Sequence, residues 1–162
     1  MSISKVQTKI IHVSHLGGID ASTYMPAKYD PSKPTLVLCH SWGTSVDLYR
    51  YQYENEELKG MVNLLAIDLL GHGRTRLKSE HFTYWDSAIM NLQVLDALGI
   101  NGKIFVLGTS QGGWQTVRMA LLAPERVSCQ THRAEISTSN YWCRWRESYR
   151  LALRWTQRPI AR

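Results

Sequence analysis

The sequence predicts an α/β fold in which a mostly parallel β-sheet is flanked by helices. Three short apolar runs, at 35–39, 62–67 and 103–107, have the length and continuity of strands that are covered on both faces. Helical patterns at 47–58 and 83–99 separate these runs. Strands that alternate with helices in this way form right-handed crossovers between parallel strands, which is the basis of the fold prediction.

Further elements are predicted around these runs. The segment 6–13 is expected to be a strand, and 21–27 its hairpin partner. Thr83 and Asp86 have the spacing of a capping box and should begin the helix at 83–99. The apolar face of that helix is expected to comprise Trp85, Ile89, Leu92 and Leu95.

The composition is that of a globular protein. Of the 162 residues, 44% are hydrophobic and 20% are charged, which excludes a disordered chain. No apolar stretch is long enough to span a bilayer, and the N-terminus lacks the pattern of a signal peptide. A cytoplasmic location is therefore expected. Three scattered cysteines do not form a disulfide framework, and Cys39 is expected to be a reduced core residue.

The positive charge is concentrated at the C-terminal end. Residues 128–162 contain seven Arg, no Lys and two Glu, whereas residues 1–127 are almost neutral. The neutral part gives no indication of a nucleic-acid partner. We therefore divide the chain into a domain at 1–127 and an Arg- and Trp-rich tail at 128–162.

The segment Gly108-Thr109-Ser110-Gln111-Gly112 has the spacing of a nucleophile elbow. It follows a predicted strand and precedes a helix predicted at 112–123, as an elbow requires. The tight turn would present the Ser110 hydroxyl as a nucleophile, and side chains at positions 108 and 112 would collide with the turn. The N–H of Gln111 would lie at the helix N-terminus, where the helix dipole favours a developing oxyanion.

With these motifs the chain resembles the α/β-hydrolase family, in its serine-nucleophile, esterase- and lipase-like branch. The likeness runs from about residue 5 to residue 127. It rests on His40-Ser41-Trp42-Gly43, on Asp68-Leu69-Leu70-Gly71-His72-Gly73, and on the elbow. The resemblance implies that the N–H of Trp42 is the second oxyanion-hole donor, with Ser41 where the family usually has Gly.

The resemblance also implies the reaction. Family members that open epoxides or remove halide carry Asp at the nucleophile position, whereas Ser110 indicates cleavage of a carboxylic ester, thioester or lactone. The expected substrate is therefore a small ester-like molecule. No metal or organic cofactor is implied, because His12 and His15 lack further ligands nearby and Arg76 replaces the third Gly of a dinucleotide motif.

The catalytic acid and base cannot be identified in the sequence. In this fold they follow the nucleophile in the order acid and then His. After Ser110 the only histidine is His132, which precedes Glu135 and Glu147. His40 and His72 belong to loop motifs and are expected to be structural. We therefore expect a truncated hydrolase with little or no activity.

The tail leaves alternatives open. Its composition fits a reading frame that was not selected to encode protein. A helix at 141–158 would instead carry Arg146, Arg150, Arg154 and Arg158 at every fourth position and could bind an anionic membrane or an acidic partner. The chain would then be a non-catalytic interaction protein that uses this tail or an exposed sheet edge at the strand 103–107.

Overall fold

The computed structural model describes residues 6–128 and the backbone of 140–142. The strands and helices are β1 (Lys9–Val13), β2 (Ile19–Tyr24), β3 (Thr35–Cys39), α1 (Arg50–Tyr53), α2 (Glu56–Met61), β4 (Asn63–Ile67), β5 (Arg76–Leu77), α3 (Tyr84–Ala97), β6 (Ile104–Thr109), α4 (Gln111–Leu122) and β7 (Asn140–Trp142). Short 3₁₀ helices occupy His15–Gly17 and Val46–Tyr49. No helix in this part of the chain has both the length and the apolarity needed to cross a membrane.

The described strands form one mixed sheet of order β1-β2-β4-β3-β6-β7, with β5 paired to β2. Strand β3 is parallel to both β4 and β6, and the outer pairs are antiparallel. The α/β prediction is confirmed. Cys39 lies opposite both Ile67 and Gly108, so the three central strands end level with one another. Active sites of open α/β sheets form at these carboxyl ends.

The central strands are apolar except at their ends because both faces of the sheet are covered. Val37 and Cys39 belong to a core on the side of α3 and α4, whereas Leu38 belongs to a second core with Tyr49 and Tyr53. Alternate side chains of one strand therefore enter different cores. This arrangement accounts for the continuous apolar runs that predicted the strands.

The prediction of a single helix at 47–58 is wrong. The chain forms a 3₁₀ helix, then α1, and then a separate helix α2. The side chain of Asn55 accepts a hydrogen bond from the N–H of Leu58 at 3.0 Å and so caps α2. Asn is favoured at this position because it satisfies an N–H that has no partner inside the helix.

Helix α3 confirms its predicted capping box, and of its predicted apolar face Leu95 is buried and Leu92 packs against the core. The N–H of Thr83 donates to the Asp86 carboxylate at 2.6 Å, and the Thr83 hydroxyl accepts from the first turn. Trp85, however, is 42% exposed. The helix packs on α4 as well as on the sheet, so its buried strip is rotated to Ser87, Ala88, Met90, Asn91, Val94 and Leu95.

Strand β7 covers part of the edge that the sequence suggested would be open. Asn140–Trp142 pairs antiparallel with residues 107–109 of β6. The expectation of an exposed edge is wrong at these residues, and the predicted helix at 141–158 does not begin at 141. The remainder of that helix, together with His132, Glu135 and Glu147, lies outside the described residues.

Candidate active site

Ser110 has an unusual backbone conformation between β6 and α4. Its φ of 53° and ψ of −115° are strained for a residue with a side chain. This is the conformation expected at a nucleophile elbow, where the turn presents the side chain to solvent. Within the described residues the Ser110 hydroxyl makes no hydrogen bond. Its role as nucleophile remains a prediction.

The glycines on either side of Ser110 let α4 begin directly against the sheet. A Cβ atom at Gly108 would meet the carbonyl of Gly112. A Cβ atom at Gly112 would overlap the carbonyl groups of Cys39 and His40. The first contact is within the elbow, as predicted from the sequence, but the second is with β3 and the residue after it.

Trp42 and Gln111 carry the two N–H groups that the sequence assigns to an oxyanion hole. Cys39 at the end of β3 pairs with Gly108 near the end of β6, so both N–H groups follow the carboxyl ends of these two neighbouring strands. Neither N–H has an acceptor within the described part of the chain. Gln111 is the first residue of α4, where N–H groups lack helical partners and the dipole is positive. Their role in an oxyanion hole remains a prediction.

Residues 41–44 form a β-turn that carries the Trp42 N–H. The N–H of Thr44 donates to the Ser41 carbonyl at 3.3 Å. Gly43 has φ of 67° at the third position, as a type II turn requires. Ser41 does not have positive φ, so a serine fits without strain where the resembled family has Gly.

His40 is buried beneath this turn and is held in one tautomer. Its Nε2 atom accepts the N–H of Leu69 at 3.0 Å, so the ring proton is on Nδ1. Nδ1 then donates to the Ser41 carbonyl at 2.9 Å. Burial lowers the pKa of His40, so the ring is neutral. Both nitrogens are engaged, which suits a structural residue rather than a base.

Asp68 joins the turn after β4 to the loop after β3. Its buried carboxylate accepts the N–H of Val46 at 2.8 Å and that of Arg74 at 3.0 Å. A Cβ atom at Gly73 would overlap the same carboxylate, which accounts for this glycine. Asp68 lies 3.9 Å from His40 Nε2, but that nitrogen already accepts from Leu69. The two are not an acid–base pair of a triad.

His72 and Cys39 are also explained by local structure. His72 Nδ1 donates to the Leu70 carbonyl at 2.9 Å, and its ring packs 5.3 Å from those of His40 and Trp42. Burial raises the pKa of the Cys39 thiol to about 12, so this cysteine remains a thiol and is not a nucleophile.

The alternative ligand motifs are not assembled. His12 pairs with Asp20 at 2.9 Å, and His15 pairs with Asp86 at 2.8 Å, so each histidine has its own carboxylate. Within the described ranges no three His, Cys, Asp or Glu side chains are placed to hold a metal ion. The turn after β4 leads into strand β5 rather than into the helix that a dinucleotide motif requires.

Residues 6–128 contain no acid or histidine that is hydrogen-bonded to the Ser110 hydroxyl. Glu125 is exposed beyond the C-terminal end of α4. A helix of twelve residues holds its two ends about 18 Å apart, which places Glu125 far from the elbow. A base for Ser110 would have to come from outside the described residues.

Comparison with known proteins places this chain in a family. The model of the alpha/beta hydrolase fold matches residues 34–159. The chain is 36% identical over 98 residues to bifunctional epoxide hydrolase 2 of Mus musculus, which covers 59% of this chain and 17% of that protein. It is 33% identical over 97 residues to the pimeloyl-(acyl-carrier protein) methyl ester esterase of Nitrosomonas europaea, which covers 58% and 34%.

Solved structures agree with this match. Naproxen esterase from Bacillus subtilis superposes with a TM-score of 0.58 and 27% identity, over 76% of this chain and 42% of that chain. The chain thus matches well under half the length of each of these three relatives. The family match also runs beyond residue 127, where we placed the domain boundary from the sequence, and that boundary stays a prediction.

Replacing Gly112 with Ala should destabilise the fold by about 3 kcal/mol, because the obstacles are backbone carbonyls that cannot rotate away. Gly60→Ala is the matched control, since Gly60 lies in α2 with open space around it. The control should gain about 0.5–1 kcal/mol. Urea unfolding followed by Trp fluorescence measures both. Equal stability of Gly112→Ala and the unaltered protein would contradict this account.

His40 should make stability fall as the pH decreases. Because its pKa is lowered in the folded protein, the unfolded chain takes up the proton first, near pH 6.5. Stability is then lost from about pH 7 downward, by at most about 1.4 kcal/mol per pH unit. In urea unfolding at several pH values, His40→Gln should be less stable at pH 7.5 but lose less on acidification. If the unfolding free energies of the two proteins changed in parallel with pH, His40 would not be the group that causes the loss of stability in acid.

Proposed function

Because the chain belongs to the alpha/beta hydrolase fold family, we propose that it is a serine hydrolase of carboxylic esters, thioesters or lactones. The observation that carries the proposal is the strained conformation of Ser110 at the N-terminus of α4. Ser110 follows β6, and the turn that contains Trp42 follows the neighbouring strand β3. Strain of this kind persists only where the surrounding structure enforces it, and it is concentrated at functional sites.

The proposed chemistry is acyl transfer. The Ser110 oxygen attacks the substrate carbonyl and gives up its proton to water or to a base from outside the described residues. The carbonyl oxygen becomes an oxyanion that accepts hydrogen bonds from the N–H groups of Trp42 and Gln111. Collapse of this intermediate breaks the bond to the leaving oxygen or sulfur, which takes up a proton, and leaves an acyl group on Ser110. The leaving group departs as an alcohol or thiol, whereas in a lactone it remains as a hydroxyl of the acyl group. Water then releases the acid and restores the serine. These steps require no cofactor.

Ester cleavage is favoured over epoxide opening. The matched relatives include both an epoxide hydrolase and a methyl ester esterase. In the resembled family, the epoxide-opening members carry Asp at the nucleophile position, whereas this chain has Ser110. A small ester-like molecule is therefore the proposed substrate. Separately, the cytoplasm is the proposed location.

The proposed activity is weak unless a base is supplied. Within residues 6–128 no histidine is bonded to Ser110. In a comparable serine enzyme the loss of the base costs on the order of 10⁶-fold in turnover. The oxyanion hole and substrate binding alone retain roughly 10³–10⁴-fold over water.

Hydrolysis of a p-nitrophenyl ester tests the proposal. We expect slow turnover of which a measurable part disappears in Ser110→Ala, because the acyl group would be carried by that oxygen. Ser79→Ala, which alters a half-buried loop serine, is the control and should leave the rate unchanged. Styrene oxide should not be opened. Identical ester rates for the unaltered protein and Ser110→Ala would refute the assignment.

A further inference from the structure

The carbonyl oxygen of Ser41 accepts hydrogen bonds from three donors. The Thr44 hydroxyl lies at 2.7 Å and the Thr44 N–H at 3.3 Å. The protonated Nδ1 of His40 lies at 2.9 Å. The hydroxyl makes the shortest of the three bonds. A backbone carbonyl has two lone pairs, so three donors leave this oxygen no capacity for a further hydrogen bond.

These bonds also fix the direction of the Trp42 N–H. The Ser41 carbonyl and the Trp42 N–H belong to one peptide unit, and none of the described peptide bonds is cis. In a planar trans peptide the C–O and N–H bonds point in opposite directions. Because the carbonyl points at the buried His40 and at Thr44, the N–H points away from them. Hydrogen bonds to the carbonyl also polarise the peptide and strengthen its N–H as a donor.

We propose that Thr44 is a positioning residue for the oxyanion hole, acting through the Ser41–Trp42 peptide. The inference rests on the proposed function, since it concerns the same site. The backbone bond from Thr44 is long at 3.3 Å. His40 Nδ1 donates to the same carbonyl and lies 3.2 Å from the Thr44 hydroxyl, while the N–H of Leu69 holds the other ring nitrogen. The Thr44 hydroxyl makes the shortest bond to the Ser41 carbonyl and also contacts His40, so without it the direction of the Trp42 N–H is less tightly fixed.

The peptide can be observed without any enzymatic activity. The dipeptide Ser-Trp occurs once in the sequence, at Ser41-Trp42. Labelling serine with ¹³C at the carbonyl and tryptophan with ¹⁵N therefore gives a single peak in an HNCO spectrum. In Thr44→Val, which removes only the hydroxyl, the Ser41 carbonyl resonance should move upfield because it loses a hydrogen bond. Thr44→Ser should restore it.

A matched control is available in the β1–β2 hairpin. The hydroxyl of Thr23 donates to the Lys9 carbonyl at 3.2 Å, so Thr23→Val removes the same kind of bond elsewhere. This variant should leave the Ser41–Trp42 peak in place. It also measures the general loss of stability that a missing threonine hydroxyl causes.

The kinetic effect is read from the Ser110-dependent part of p-nitrophenyl ester hydrolysis. Loss of one ordinary hydrogen bond predicts about a fivefold decrease in kcat for Thr44→Val. KM should be almost unchanged, because the oxyanion forms only during the reaction. Thr44→Ser should recover most of kcat, and Thr23→Val should match the unaltered protein.

The outcomes separate this inference from the proposed function. An upfield shift with lower kcat in Thr44→Val, both reversed in Thr44→Ser, supports the inference. An unmoved peak, or a moved peak with unchanged kcat, overturns it while the proposed function stands. A rate that does not depend on Ser110 in the unaltered protein refutes the proposed function, and the positioning role falls with it.

Discussion

The contact between the start of α4 and strand β3 is the constraint on which the candidate site depends. Gly112 lies against the Cys39 carbonyl at a distance that excludes any side chain. The same contact, together with the pairing of Cys39 and Gly108, holds Ser110 in a conformation that an unconstrained serine would leave. The groups that can bind an oxyanion are backbone N–H groups, so their positions follow from this packing rather than from side-chain identity.

Buried polar side chains hold the loops around that contact. Asp68 binds N–H groups from two loops, and His40 links Leu69 to Ser41. A buried carboxylate or imidazole is costly unless it is hydrogen-bonded, so these loops gain one preferred arrangement. The family motifs around His40 and Asp68 are thus explained by structure, and the Ser110 hydroxyl is left without a hydrogen-bond partner in the described residues.

The sequence predicted the central strands and the elbow well because their signals are local. Apolar runs bounded by turns define the strands, and the glycine spacing around Ser110 defines the elbow. The break at Asn55 follows from a local cap that the apolar pattern does not record. The rotation of the buried face of α3 and the pairing of β7 depend on contacts between distant segments, which periodicity does not record either. The sequence likewise did not predict that Asp68 and Thr44 hold the loops around the site through hydrogen bonds. Thr44 had one sequence signal, a small polar residue directly after Gly43 in a predicted loop.

Covalent labelling with a fluorophosphonate, mapped by peptide mass spectrometry, tests whether Ser110 is the nucleophile. The reagent phosphonylates a serine whose oxygen is presented to an oxyanion hole. We expect slow formation of a single adduct on the peptide that contains Ser110, and its loss in Ser110→Ala. No adduct on folded protein, or an adduct that persists in Ser110→Ala, would contradict the assignment of Ser110 as the nucleophile.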